Sequence, residues 1–179
     1  MKPLSPRKFI NPAMWLVLTL IAPTLWGQEP TERSRDQRGR IVKVEAKLSG
    51  FQEVPPILSN GRGEFKAIIH GDSSITFQLS YSGLSSAVTA AHVHFGQPGV
   101  NGGILFFLCG EGAGAGSCPN SGTINGTIGA ADVRPILEQG IQEGDLAGVI
   151  RAIRAGVTYA NVHTDLFPNG EIRGQIEED

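Results

Sequence analysis

The stretch "IVKVEAKLSGF" (Ile41–Phe51) decides the fold. Val42, Val44, Ala46 and Leu48 alternate with Lys43, Glu45, Lys47 and Ser49. A period of two sends one row of side chains into a core and the other into water, which is the pattern of a half-buried strand. It recurs in "EFKAIIH" (Glu64–His70) with Phe65, Ala67 and Ile69, and in "SSITFQLSY" (Ser73–Tyr81) with Ile75, Phe77, Leu79 and Tyr81. Val88–Phe95, Gly103–Leu108, Gly122–Ile128, Val157–His163 and Glu171–Ile176 are further strand candidates, with Gly, Pro, Asn and Ser at the joints. Short strands so punctuated predict an all-β fold, a Greek-key β-sandwich or barrel of about eight strands.

One segment breaks the period. In "GDLAGVIRAIRAG" (Gly144–Gly156), Leu146, Val149, Ile150 and Ile153 recur at three- and four-residue spacing. That spacing predicts a short helix in the long connection before the penultimate strand, capped by Asp145 and stopped at Gly156. The preceding "AADVRPILEQG" (Ala130–Gly140) leaves room for another turn or two, with Pro135 against a longer run.

The amino-terminal part reads differently. Lys2, Arg7 and Lys8 precede the apolar run "MWLVLTLIAPTLW" (Met14–Trp26), the layout of a signal peptide over residues 1–27. The run falls short of the ~20 apolar residues of a membrane span, so the expectation is export with no span in the mature chain, an uncleaved N-terminal anchor being the other reading. "QEPTERSRDQRGR" (Gln28–Arg40) is polar and aperiodic, a flexible leader. Without residues 1–27 the chain keeps 12 Lys and Arg against 17 Asp and Glu, a net charge of −5. Such a surface excludes nucleic acid, whose phosphates require a basic footprint. An oxidising compartment permits a bridge between Cys109 and Cys118, the two cysteines, which flank "GEGAGAGS".

Half of the four histidines fall within three positions, His92 to His94, in "VTAAHVHFGQPGVNGG" (Val88–Gly103). Strand parity places His92 and His94 on one face, opposite Ala91, Val93 and Phe95. In "GVTYANVHT" (Gly156–Thr164) the same parity sends Tyr159, Asn161 and His163 outward and Ala160 and Val162 to the core. If those strands are neighbours, three imidazoles converge, and an i, i+2 histidine pair is a common way to supply two metal ligands. The other reading of the histidines is structural, as hydrogen-bonding partners of the glycine-rich loop that follows them. His70 has no partner nearby in sequence and reads as surface. Glu171 and Arg173 share the polar face of the last strand, where an exposed ion pair contributes little. Asn161, Thr164 and Asp165 suit a local polar network at a strand end. Asn125-Gly126-Thr127 has the form of a glycosylation sequon, a triplet frequent by chance.

Taken in order, "LSGFQEVPPILSNGRGEF" (Leu48–Phe65), "VTAAHVHFGQPGVNGG", "GVTYANVHT" and "FPNGEIRGQI" (Phe167–Ile176) resemble the CHRD domain, the module named from chordin and found in many exported bacterial proteins. The resemblance covers residues 43–176 and implies a single CHRD domain over residues 41–177. A more distant likeness is that "HVHFG" is similar to the histidine stretch supplying copper ligands in Cu/Zn superoxide dismutase, itself a Greek-key sandwich. His163 and Arg173 occupy places comparable in chain order to a later ligand and a guiding arginine of that family. The bridging histidine and the zinc cluster have no counterpart, so the likeness implies at most a copper site of three histidines. Two expectations stand side by side. One is a non-catalytic binding or structural module meeting an extracellular or envelope protein or glycan. The other is a copper-binding, dismutase-like protein using His92, His94 and His163, with Tyr159, Asn161 and Arg173 around them.

Overall fold

The computed structural model describes residues 41–110 and 116–179. The signal peptide and leader expected over residues 1–40 lie outside the described residues. Eight strands form one antiparallel sheet that curls into a nearly closed barrel. They are β1 (Ile41–Ser49), β2 (Arg62–His70), β3 (Ser74–Ser82), β4 (Val88–Phe95), β5 (Gly103–Gly110), β6 (Gly122–Ile128), β7 (Thr158–Thr164) and β8 (Ile172–Gln175). Their spatial order is β5-β4-β7-β8-β1-β2-β3-β6. The pairings β4–β7, β8–β1 and β3–β6 join strands that are not consecutive in the chain, as in a Greek key. A two-residue strand absent from the sequence reading, β9 (Glu177–Glu178), pairs with β1 opposite Val44 and Glu45.

The period-two rows fill the barrel. Val42, Val44, Ala46 and Leu48 are buried, as are Phe65, Ala67 and Ile69 on β2 and Ile75, Phe77, Leu79 and Tyr81 on β3. Removing that apolar area from water is the main stabilising term, about 25 cal/mol per Å². Helix α1 (Leu146–Arg154) lies in the β6–β7 connection and buries Leu146, Val149, Ile150 and Ile153. Asp145 caps it, its carboxylate accepting from the Gly148 amide at 2.8 Å. Gly156 leaves it with φ +67°, a left-handed conformation that suits glycine. Ahead of α1, "AADVRPILEQG" makes two single 3₁₀ turns, Ala130–Asp132 and Leu137–Gln139, with Pro135 between them. Among the described residues no helix is long and apolar enough to cross a membrane.

The barrel is left unpaired between β5 and β6, and covalent and polar ties bridge the gap. Cys109 on β5 is disulfide-bonded to Cys118, ahead of β6. The Arg134 amide, beyond β6, donates to the Leu105 carbonyl of β5 at 2.8 Å, and the Tyr81 hydroxyl of β3 holds the segment after Cys118 through the Pro119 carbonyl at 2.6 Å. We expect the double variant Cys109→Ala/Cys118→Ala to lose ~2.5 kcal/mol, the loop-closure entropy of so short a ring. Urea unfolding measures it; a midpoint unchanged from the parent would show that the bridge contributes nothing.

Candidate metal centre

β4 and β7 pair directly, so the outward side chains meet across the ladder. His92 faces Asn161, His94 faces Tyr159 and Ala90 faces His163. On the other flank His92 faces Phe107 of β5, and Asn161 faces Arg173 of β8. The parity read from sequence is therefore right, yet this outer face is not open to water. His92 and His94 are only 7% and 8% exposed. Three loops are bonded to this face: the loop from Gly50 to Gly61 through Glu53 to Asn161, the loop from Gly96 to Gly102 through Gly102 to His94, and the turn after Thr164 through Pro168 to His163.

The cover is held by specific bonds. Arg173 lies over the Tyr159 ring, 3.4 Å from its centroid, and donates to the Gln97 and Val100 carbonyls and the Asn101 side chain. Asn101 in turn donates to the Val54 carbonyl, joining two of the loops. Gly102 has to be glycine here. A Cβ at that position would fall 1.8 Å from the Phe95 carbonyl oxygen.

Beneath this cover the three rings converge. His92 Nδ1 is 3.1 Å from His163 Nε2, and one donor atom from each of His92, His94 and His163 lies within 4.8 Å of the others. The hydrogen bonds settle the tautomers. His94 Nδ1 is 3.0 Å from the Gly102 carbonyl and His163 Nδ1 is 2.9 Å from the Pro168 carbonyl, so both nitrogens carry their protons and donate. That leaves Nε2 of each ring as a bare lone pair. His163 Nε2 accepts from His92 Nδ1, which leaves His92 Nε2 bare as well. The Nε2 atoms of His92 and His94 are buried with no partner among the described residues.

Burial keeps the rings uncharged. It pushes His92 down to about 3, helped by His163, His94 and Arg134, and His94 down to about 4, with the Gly102 bond opposing and His163 and Arg173 assisting. His163 is also lowered, by burial, against the Pro168 bond. A neutral imidazole with one nitrogen anchored to a backbone carbonyl and the other free is the form in which histidine ligates metal; His94 has it, and His163 has the same anchor with its Nε2 turned to His92.

Of the two charged residues read on the last strand, Arg173 stands beside this site against Tyr159, and neither is exposed. Arg173 is fully buried and stacked, as described above. Glu171 is also fully buried, and forms no exposed ion pair. It accepts from the hydroxyls of Ser59, Ser85 and Thr164 and from the Ser85 amide. The strand-end network expected of Asn161, Thr164 and Asp165 is divided: Thr164 belongs to Glu171, whereas Asn161 donates to the Glu53 carboxylate. Glu53, buried beside Arg173, was missed by residue-level reasoning, although it stands inside the quoted "QEVPP". His70 is half-buried against the Thr76 hydroxyl at 3.0 Å.

The CHRD domain family model matches residues 44–176, most of the chain. No curated protein matches it.

Proposed function

The chain belongs to the CHRD domain family, and from that premise we propose an exported module that holds one transition-metal ion of the copper class on His92, His94 and His163. One observation carries this: three neutral rings converge, and two of their nitrogens are buried without a partner. A buried polar atom left unpaired costs about 1–3 kcal/mol, a cost that an ion coordinated there removes. Holding rather than turning over is favoured because the free nitrogens of His92 and His94 are shut off from solvent, whereas metal catalysis needs an open position. The disulfide suits an oxidising compartment, which supports the export reading.

The untagged protein is expected to retain one copper per chain, measured by metal analysis after dialysis, and His92→Ala and His163→Ala are each expected to lose it. No retained copper at micromolar copper, with both variants folded, would sink the reading.

A second reading concerns a partner. Four of the six exposed large hydrophobics, Phe51, Leu58, Val100 and Leu166, lie on the three loops that cover this face. Apolar side chains grouped on loops mark recognition surfaces. The partner would be an extracellular or envelope protein meeting the covered face. Chemical cross-linking on intact cells tests it: Leu58→Asp is expected to abolish the cross-linked species, and an unaltered pattern would end this reading.

A further inference from the structure

Three features of the centre bear on which ion it selects. The first is donor count. Among the described residues the histidines are joined by no fourth His, Cys, Asp or Glu. Zn(II) in closed protein sites is almost always four-coordinate, and Cu(II) prefers a tetragonal set, so both need a further donor that no described His, Cys, Asp or Glu side chain supplies. Cu(I), with a filled d shell and a single charge, is satisfied by two or three donors.

The second feature is charge. All three ligands are neutral, so the ion's whole charge enters a buried space. Burying charge is costly in low dielectric, and the cost rises steeply from one charge to two.

The third is the surroundings. His92 packs edge-on against Phe107 at 4.7 Å, with the Arg134 guanidinium 5.3 Å over that ring. His94 stacks on Tyr159 at 4.7 Å, with Arg173 over it in turn. Two of the three ligand rings, those of His92 and His94, are thus each backed by an aromatic ring that carries an arginine. The two arginines are positive and oppose a dication more than a monocation, and the acid close by, Glu53, is engaged by Arg173 and Asn161.

We infer that this centre is selective for Cu(I) over Zn(II) and Cu(II), a conclusion that rests on the metal-binding reading above and names its ion. The test titrates the untagged protein without oxygen, with Cu(I) buffered by bicinchoninate, and separately with Zn(II) and Cu(II) buffered by competing chelators. One Cu(I) per chain is expected, with Zn(II) and Cu(II) held at least roughly 100-fold more weakly. Zn(II) or Cu(II) held within tenfold of Cu(I) would overturn the selectivity and leave the metal-binding reading standing, whereas no binding of any of the three would overturn both. His163→Gln supplies the control for position, because His163 lies at the half-buried rim and is the ligand least needed for packing. Its Cu(I) affinity is expected to fall at least roughly 100-fold while its circular dichroism matches the parent. Unchanged Cu(I) affinity in that folded variant would place the ion elsewhere and defeat the inference.

Discussion

Glu171→Ala is expected to destabilise the protein by about 4 kcal/mol, which lowers its melting temperature on the order of 10–15 °C. Glu171 precedes β8 and is inaccessible to water, yet its carboxylate takes hydrogen bonds from Ser59, Ser85 and Thr164. Burial alone would raise its pKa; the bonds from Ser59, Thr164 and Ser85 outweigh burial and hold it below the usual value. Ser59 belongs to the loop after β1, Ser85 to the β3–β4 loop and Thr164 to β7, so one carboxylate ties three distant segments together. Removing it strands several buried donors at once, each costing about 1–3 kcal/mol if water does not replace it. Glu171→Gln keeps the size but turns an amide toward hydroxyl and amide donors, so it is expected to recover less than half of the loss. Thermal unfolding of both variants measures this. A melting temperature within 3 °C of the parent for Glu171→Ala would show that the hub is dispensable, on the scale of about 1 kcal/mol.

This carboxylate also shows where sequence reasoning stops. Alternation read the strands well because the period of two is imposed by the backbone itself. The alternate residues from Val42 to Leu48, Phe65 to Ile69 and Ile75 to Tyr81 point inward. The same rule set His92, His94 and His163 on one outward face, and the β4–β7 pairing brought them together. What alternation does not carry is whether an outward face is wet. Here three loops fold over it, and their paths depend on long-range bonds such as Arg173 to the Gln97 and Val100 carbonyls and Asn101 to Val54. Charge and outward parity alone leave Glu171 and Arg173 free to be exposed, and it is the loops over them that bury both. Glu53 was invisible for a related reason. Its partner Asn161 is 108 positions away, a contact that no local pattern announces. The Cys109–Cys118 bridge was legible because its two ends flank a short glycine-rich stretch.

The stability of the metal-free protein between pH 7.5 and 4.5 is expected to fall by only ~2–3 kcal/mol, and that of Glu53→Gln by ~5 kcal/mol. Two opposed effects produce the difference. His92 and His94 ordinarily titrate near 6.5 and are held down to about 3 and about 4 by burial. Below pH 6.5 the unfolded chain takes up protons that the folded rings refuse, so stability declines as the pH falls, by ~2.5 kcal/mol per ring at pH 4.5. His163, lowered by the same burial, acts in the same direction.

Glu53 acts the other way. Burial pushes its carboxyl from 4.5 up to about 7, against Arg173, the Val54 amide and Asn161, so the folded state binds its proton first. Its contribution is fully present below pH 4.5 and is lost as the pH rises through 7, worth ~3 kcal/mol across that span. In the parent this gain offsets about half of the histidine loss. In Glu53→Gln the amide oxygen still accepts from Asn161, the titrating group is gone, and the histidine slope stands alone. Urea unfolding of both proteins at half-unit pH steps separates the two effects. Parallel profiles would mean that Glu53 titrates as an exposed carboxylate does. A flat profile in Glu53→Gln would mean that the rings protonate without opposing the fold, and the neutral three-nitrogen centre would lose its physical basis.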